Sequence, residues 1–204
     1  ALVREDNVLK SVSLSTWGSG SSTNWTQRHV AKLESTLLSP YCRLEELTLG
    51  GRCDMDAASA KTVAAAFLTG KSTVERLRLH NLLVPLGELR RGSPVAIGVH
   101  ALKVPCELNV LELEVLEAAL KQTTSTIDLD LGAVQARDDE TLDKLSYAIS
   151  THNLATGSLS TLVCPMVNDI RRGLLPFVKS AMSSTTLTSL DMRLAMAELT
   201  RTGN

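Results

Sequence analysis

Arg76-Leu77-Arg78-Leu79-His80 alternates charged and apolar side chains without a break. In an extended strand successive side chains point to opposite faces, so this stretch has one apolar face and one charged face. The same alternation recurs in Leu111-Glu112-Leu113-Glu114 and in Ile127-Asp128-Leu129-Asp130-Leu131. A parallel sheet covered by helices on both sides buries both faces, and its strands are near-continuous apolar runs. Strands like these three must leave their charged face in water. They predict a sheet covered on one side only.

Each alternation sits inside a looser pattern: an apolar residue, two variable residues, an apolar residue, one variable residue, another apolar residue. It reads Leu9-Lys-Ser-Val12-Ser-Leu14, Leu44-Glu-Glu-Leu47-Thr-Leu49, Val74-Glu-Arg-Leu77-Arg-Leu79 and Leu108-Asn-Val-Leu111-Glu-Leu113. It continues in Thr124-Ser-Thr-Ile127-Asp-Leu129, Leu159-Ser-Thr-Leu162-Val-Cys164 and Leu187-Thr-Ser-Leu190-Asp-Met192. The starts are 35, 30, 34, 16, 35 and 28 residues apart. A unit recurring at such spacing marks a stacked array, in which no repeat can bury its apolar face alone.

Helical signals fill the gaps. Ser22-Thr23 reads as the cap of a helix through Leu38, with Trp25, Val30, Leu33 and Leu37 on one side and Pro40 as a stop. Asp54 or Asp56 caps residues 57–68, and Gly70 stands where a helix C-terminal glycine belongs. Ser93-Pro94 reads as a cap with Pro at the first helical position, leading into a helix over 95–103. Asp138-Asp139-Glu140 places negative charge at the start of a helix carrying Leu142, Leu145, Ala148 and Ile149. Residues 171–182 form another, with Pro176 tolerated only in its first turn. The 16-residue step from Leu108 to Thr124 leaves room only for a short helix over 115–121. Residues 81–107 fit the unit poorly, and irregular curvature is expected there.

The pattern resembles leucine-rich repeats, and its long helical units resemble the ribonuclease-inhibitor-like class. The resemblance covers residues 9–199. It implies a single α/β solenoid domain over 1–204, of about six to seven repeats, with a curved parallel sheet on the concave side and helices on the convex side. The family usually places Asn or Cys three residues after the last motif leucine. Here those positions hold Trp17, Arg52, Leu82, Leu116, Gly132, Val167 and Ala195. That departure weakens the loop-to-loop hydrogen-bond ladder on which the family relies.

Composition narrows the function. The chain is 44% apolar and 21% charged over 204 residues, as a folded protein is, and with 3% aromatics its core must be aliphatic. A formal net charge of −1 lacks the basic footprint that nucleic acid or an anionic membrane demands. No apolar run reaches the ~18 residues of a membrane span. The chain opens Ala1-Leu2-Val3-Arg4-Glu5-Asp6, without initiator Met or signal-peptide layout, and reads as a fragment of a longer chain. Cys42, Cys53, Cys106 and Cys164 form no C-x-x-C pair, so they read as reduced, buried thiols of an intracellular, cytoplasmic protein. Asn24-Trp25-Thr26 is a glycosylation sequon that matters only if the protein is secreted.

Motifs for catalysis are weak. Thr69-Gly70-Lys71-Ser72 ends like a phosphate-binding loop, but Ala65 stands where the first glycine belongs, and the segment leads from a helix into a strand. His29, His80, His100 and His152 are scattered, and of them only His80 falls on the expected open face. Aligning the repeats puts Ser13, Thr48, Arg78, Glu112, Asp128, Val163 and Asp191 in one row, and Ser15, Gly50, His80, Glu114, Asp130, Pro165 and Arg193 in the next. Glu112, Glu114, Asp128 and Asp130 then form a tight carboxylate patch beside Arg76, Arg78 and His80. The expected function is non-catalytic protein–protein recognition through Arg76, Arg78, His80, Glu112, Glu114, Asp128, Asp130, Asp191 and Arg193, with no cofactor and no metal. Two alternatives stay open: a structural subunit of a large assembly that contacts its neighbours through helices and loops, and an α/β enzyme domain.

Overall fold

Period-2 apolar residues become sheet at six of the seven repeated patterns. The computed structural model describes residues 4–15, 23–51, 53–100, 106–136, 138–167 and 175–192. In it β1 (Ser11–Ser15), β3 (Glu46–Gly50), β5 (Arg76–Arg78), β6 (Leu82–Val84), β7 (Val95–Val99), β8 (Ile127–Asp130), β9 (Leu159–Val163) and β10 (Ser189–Asp191) form one open sheet. Their order follows the chain, and all run parallel except β6, which is antiparallel to both neighbours. A second, small sheet joins β2 (Thr23–Asn24) to β4 (Cys53–Asp54).

The helices are α1 (Gln27–Leu37), α2 (Ala57–Leu68), α3 (Leu86–Arg91), α4 (Val110–Gln122), α5 (Asp139–Thr156) and α6 (Leu175–Met182). They form one layer: α1 packs on α2, α2 on α4, α4 on α5 and α5 on α6. Leu47, Leu49, Leu77, Ile97, Ile127, Leu129 and Leu162 point from the sheet into a single apolar cluster with Val63, Phe67, Leu116, Leu145, Ile149 and Phe177 of the helices. The core is aliphatic apart from its phenylalanines. The alternate strand residues, among them Ser13, Arg76, Arg78, Asp128, Asp130 and Asp191, are exposed.

Most helix starts follow the local chemistry. The Asp56 side chain accepts the Ser59 N–H, and Asp138 accepts the Thr141 N–H. Pro176 lies in the first turn of α6, where its missing N–H costs no helical bond. Helix α1 starts after Thr26 rather than at Ser22; the proposed cap at Ser22 and residues 171–174 lie outside the described residues.

Residues 81–122 hold the main correction. The segment expected as helix from residue 95 is strand β7; residues 101–103 of that expected helix lie outside the described residues. The stretch expected as a strand, Leu108 to Leu113, instead leads into the first turn of α4, so the short helix expected over 115–121 spans 13 residues. Two signals explain the exchange. Asn109 and Glu112 form a capping box, each side chain accepting the other residue's backbone N–H at 3.0 and 2.8 Å. Val95, Ile97 and Val99 put β-branched residues at every second position, which outweighs the Ser93-Pro94 start signal. Before β7, Gly92 adopts the left-handed conformation (φ 71°) that closes α3. The irregularity expected in this region takes the form of a reversal: the Leu79 N–H donates to the Leu82 carbonyl, and β6 turns back against β5.

Hydrogen bonds join the loops on either side of the strands. After the strands, main-chain bonds link Cys106, Val134 and Met166 from loop to loop at 2.8 Å (Gln135 N–H to Cys106 O, Met166 N–H to Val134 O). Before the strands, hydroxyls bond back to main-chain carbonyls near the start of the preceding parallel strand: Thr73 to Leu44 O at 2.8 Å, Ser158 to Ser125 O at 3.2 Å, and Thr186 to Leu159 O at 2.9 Å. These bonds satisfy backbone carbonyls that packing takes away from water.

Candidate functional site

The open face of the sheet is a ladder whose rows follow from the strand register. One row runs Ser13, Thr48, Arg78, Leu83, Gly98, Asp130, Val163 and Asp191. Another runs Ala96, Asp128, Thr161 and Ser189. Opposite charges therefore sit apart. Arg76, Arg78 and His80 stand on or just after β5, and Asp128 and Asp130 stand on β8, three strand steps away. At about 4.8 Å per step the separation is about 14 Å.

Sequence alignment misplaced one register. Asp128 was expected beside Val163, but the pairing shifts between Ile127 and Asp128, so that Ile127 faces Leu159 and Asp128 faces Thr161. Ser160 is the extra residue of a bulge, and Asp130 takes the place beside Val163.

Two expected face residues are not on the face at all. Glu112 and Glu114 lie on α4 and are 0% and 4% exposed. The leucines flanking them continue through Val115, Leu116, Ala119 and Leu120, a helical rather than an alternating series. Glu112 accepts backbone N–H bonds from Asn109 at 2.8 Å and from Asn81 at 2.5 Å, so it ties the start of α4 to the turn after His80. Burial pushes its carboxyl above the ordinary carboxylate value, against the pull of those hydrogen bonds. Glu114 forms a short ion pair with Lys144 of α5. The four-carboxylate patch is thereby reduced to Asp128 and Asp130. Among the described residues no three His, Cys, Asp or Glu side chains converge.

The other expected residues separate by how they are held. Arg76 pairs with Glu46 on the neighbouring strand. Asp130 accepts the Gly132 N–H at 2.8 Å. Among the described residues the Arg78 and Asp128 side chains make neither a hydrogen bond nor an ion pair. Asp191 is exposed at the far strand, and Arg193 lies outside the described residues.

Between the charged strands lies a strip that sequence reasoning missed. Its open-face residues are Leu83 on β6 and Ala96 and Gly98 on β7. The alternation Val95-Ala96-Ile97-Gly98-Val99 carried the signal, with small residues in every outward place.

Other chemistry is subdued. Burial, with nearby carboxylates, pushes the Cys53, Cys106 and Cys164 thiols up to about 11, so all three stay protonated and unreactive at neutral pH. His152 is buried, its Nδ1 3.0 Å from the Leu120 carbonyl, and desolvation holds it below the usual histidine value. A groove of about 330 Å³ runs along the helix starts, lined by Cys53, Met55, Leu108, Val110 and Lys144 among others. The three helix starts beside it are already capped by Asp56, Asn109 and Asp138. No helix among the described residues is long and apolar enough to cross a membrane.

Compared with known protein families, with curated proteins and with solved structures, the chain matches none.

Proposed function

We propose that this chain is a non-catalytic recognition module, a leucine-rich-repeat-like solenoid that binds a protein partner through the open sheet face. The observation that carries the reading is the pair of charged side chains, Arg78 and Asp128, that find no partner among the described residues, on a face that the helix layer leaves uncovered. Solvated charges of this kind contribute little to folding, and across an interface they set specificity and association rate. The net charge of −1 favours a protein over nucleic acid as partner. The free cysteines fit a reducing, intracellular setting.

A second reading, a scaffold subunit held through its helices, draws on a different surface. Tyr147 on α5 and Leu175 and Met182 on α6 are 62%, 48% and 76% exposed, an apolar display on the helix side. One experiment separates the two. Affinity capture from a lysate is run with the wild type and with the double variant Arg78→Glu/Asp128→Lys, each first checked by circular dichroism. Partners lost only from the variant support the open face. Partners lost only from a Tyr147→Asp/Met182→Asp variant favour the scaffold reading.

A further inference from the structure

The open face has a sign on each side and a low strip between. Arg78 flanks the strip on β5, beside Arg76, which already pairs with Glu46, and Asp128 and Asp130 flank it on β8. The floor is two strands wide and carries only Leu83, Ala96 and Gly98. Among the described residues the floor at Gly98 is open: a Cβ built there would meet only Asp130 Cβ and His100 Nε2, both at 3.9 Å. The charged strands are about 14 Å apart, and an α-helix with its side chains is about 10–12 Å across.

We infer that the occupant of this face is an α-helical segment of the partner protein, seated along the strip, with an acidic flank toward β5, a basic flank toward β8 and small or apolar residues between. The inference rests on the reading of the open face as a binding surface. Its physical content is complementarity on both sides at once. An all-acidic ligand would satisfy Arg78 and be repelled by Asp128 and Asp130, and an all-basic one would meet the reverse. The small floor lets a helix backbone approach closely, so both flanks come within reach of their counter-charges. A helix seated this way also has a direction, because turning it end for end would bring like charges together.

Three synthetic alanine-rich helical peptides of identical length test this against the ¹⁵N-labelled protein at low salt. One carries a Glu stripe and a Lys stripe on opposite flanks. One has the same composition with the charges mixed around the helix, and one carries Glu alone. The striped peptide should shift the amides of β5, β7 and β8 and bind about tenfold more tightly than either control. Ala96→Trp, at an exposed position, should abolish that binding while leaving the rest of the spectrum unchanged. A spin label on the peptide N-terminus should report one orientation, and the exchange variant Arg78→Asp/Asp128→Arg, which cancels the charge on each flank, should remove that preference.

Equal binding by the mixed or single-sign peptide overturns the inference, as does an absence of shifts on the open face at millimolar peptide. If captured natural partners still depend on Arg78 and Asp128 in that event, the face binds proteins and only the helix inference fails. If they do not, the reading beneath it fails as well.

Discussion

Strand β5 and the first turn of α4 carry leucines at the same spacing, with charged residues in the same gaps, and the molecule treats them in opposite ways. In β5, Leu77 is 0% exposed while Arg76 and Arg78 reach into solvent. In α4, Leu111 and Leu113 are buried and so are Glu112 and Glu114 between them. The first arrangement leaves its charges in solvent, Arg76 paired with Glu46 and Arg78 open. The second spends them on joining elements, Glu112 to the turn at Asn81 and Glu114 to Lys144. A charged residue in an alternating stretch is therefore a site candidate only when its element is a strand. Capping and the neighbouring helical series decide that.

The contrast can be broken most severely at its apolar half. Leu77→Ala should cost about 3 kcal/mol in urea unfolding, because a fully buried leucine leaves a cavity that neighbouring strands cannot close. Glu112→Ala should follow at about 2 kcal/mol, since it strands two backbone N–H groups in the interior, whereas Asp128→Ala should be nearly silent. Comparable losses at Glu112 and Asp128 would erase the distinction between the two regions.

Asn109→Ala should cost about 1 kcal/mol by removing one side of the capping box, with the loss visible first in amide exchange of α4. Smaller effects appear as pH dependence, and their signs differ. Because the folded value of Glu112 is raised above its ordinary 4.5, its contribution is fully present below about pH 4.5 and is lost as pH rises through the raised value. His152 is depressed below 6.5, so its contribution is present above about pH 6.5 and is lost as pH falls toward the depressed value. Unfolding free energies measured from pH 4 to 8 should therefore flatten on the acid side in His152→Gln. A wild-type profile indistinguishable from that variant would mean that His152 is solvated. Least of all, Arg78→Glu/Asp128→Lys should change the unfolding free energy in urea by no more than about 0.5 kcal/mol, as both side chains are exposed and have no partner among the described residues.

Much of the face was legible beforehand. Arg76, Arg78, Asp128, Asp130 and Asp191 occupy the exposed positions that period-2 alternation assigns them. The row containing Asp128 was not, because a bulge at Ser160 shifts register and no residue type there announces it. Glu112 and Glu114 were misassigned because a six-residue window cannot tell alternation from the start of an amphipathic turn. Asn109 and Glu112, read together as a capping box, held the missing information. The reversed strand β6 is only three residues long, too short for periodicity to register.

What the amino-acid order determined unaided was the one-sided sheet, its aliphatic core and the strand at six of the repeated patterns. Each follows from side-chain polarity at a fixed period, which is a local property. The tertiary structure alone decided the antiparallel turn of β6, the register of β8 on β9 and the burial of Glu112. The register of β8 on β9 and the burial of Glu112 depend on partners 31 residues or more away, as between Asn81 and Glu112, and β6 is held in place by pairing with β5 on one side and β7 on the other; no local pattern encodes those partners. The spacing of positive and negative charge on the open face is a product of that second kind of information, since it exists only because β6 and β7 stand between Arg78 and Asp130.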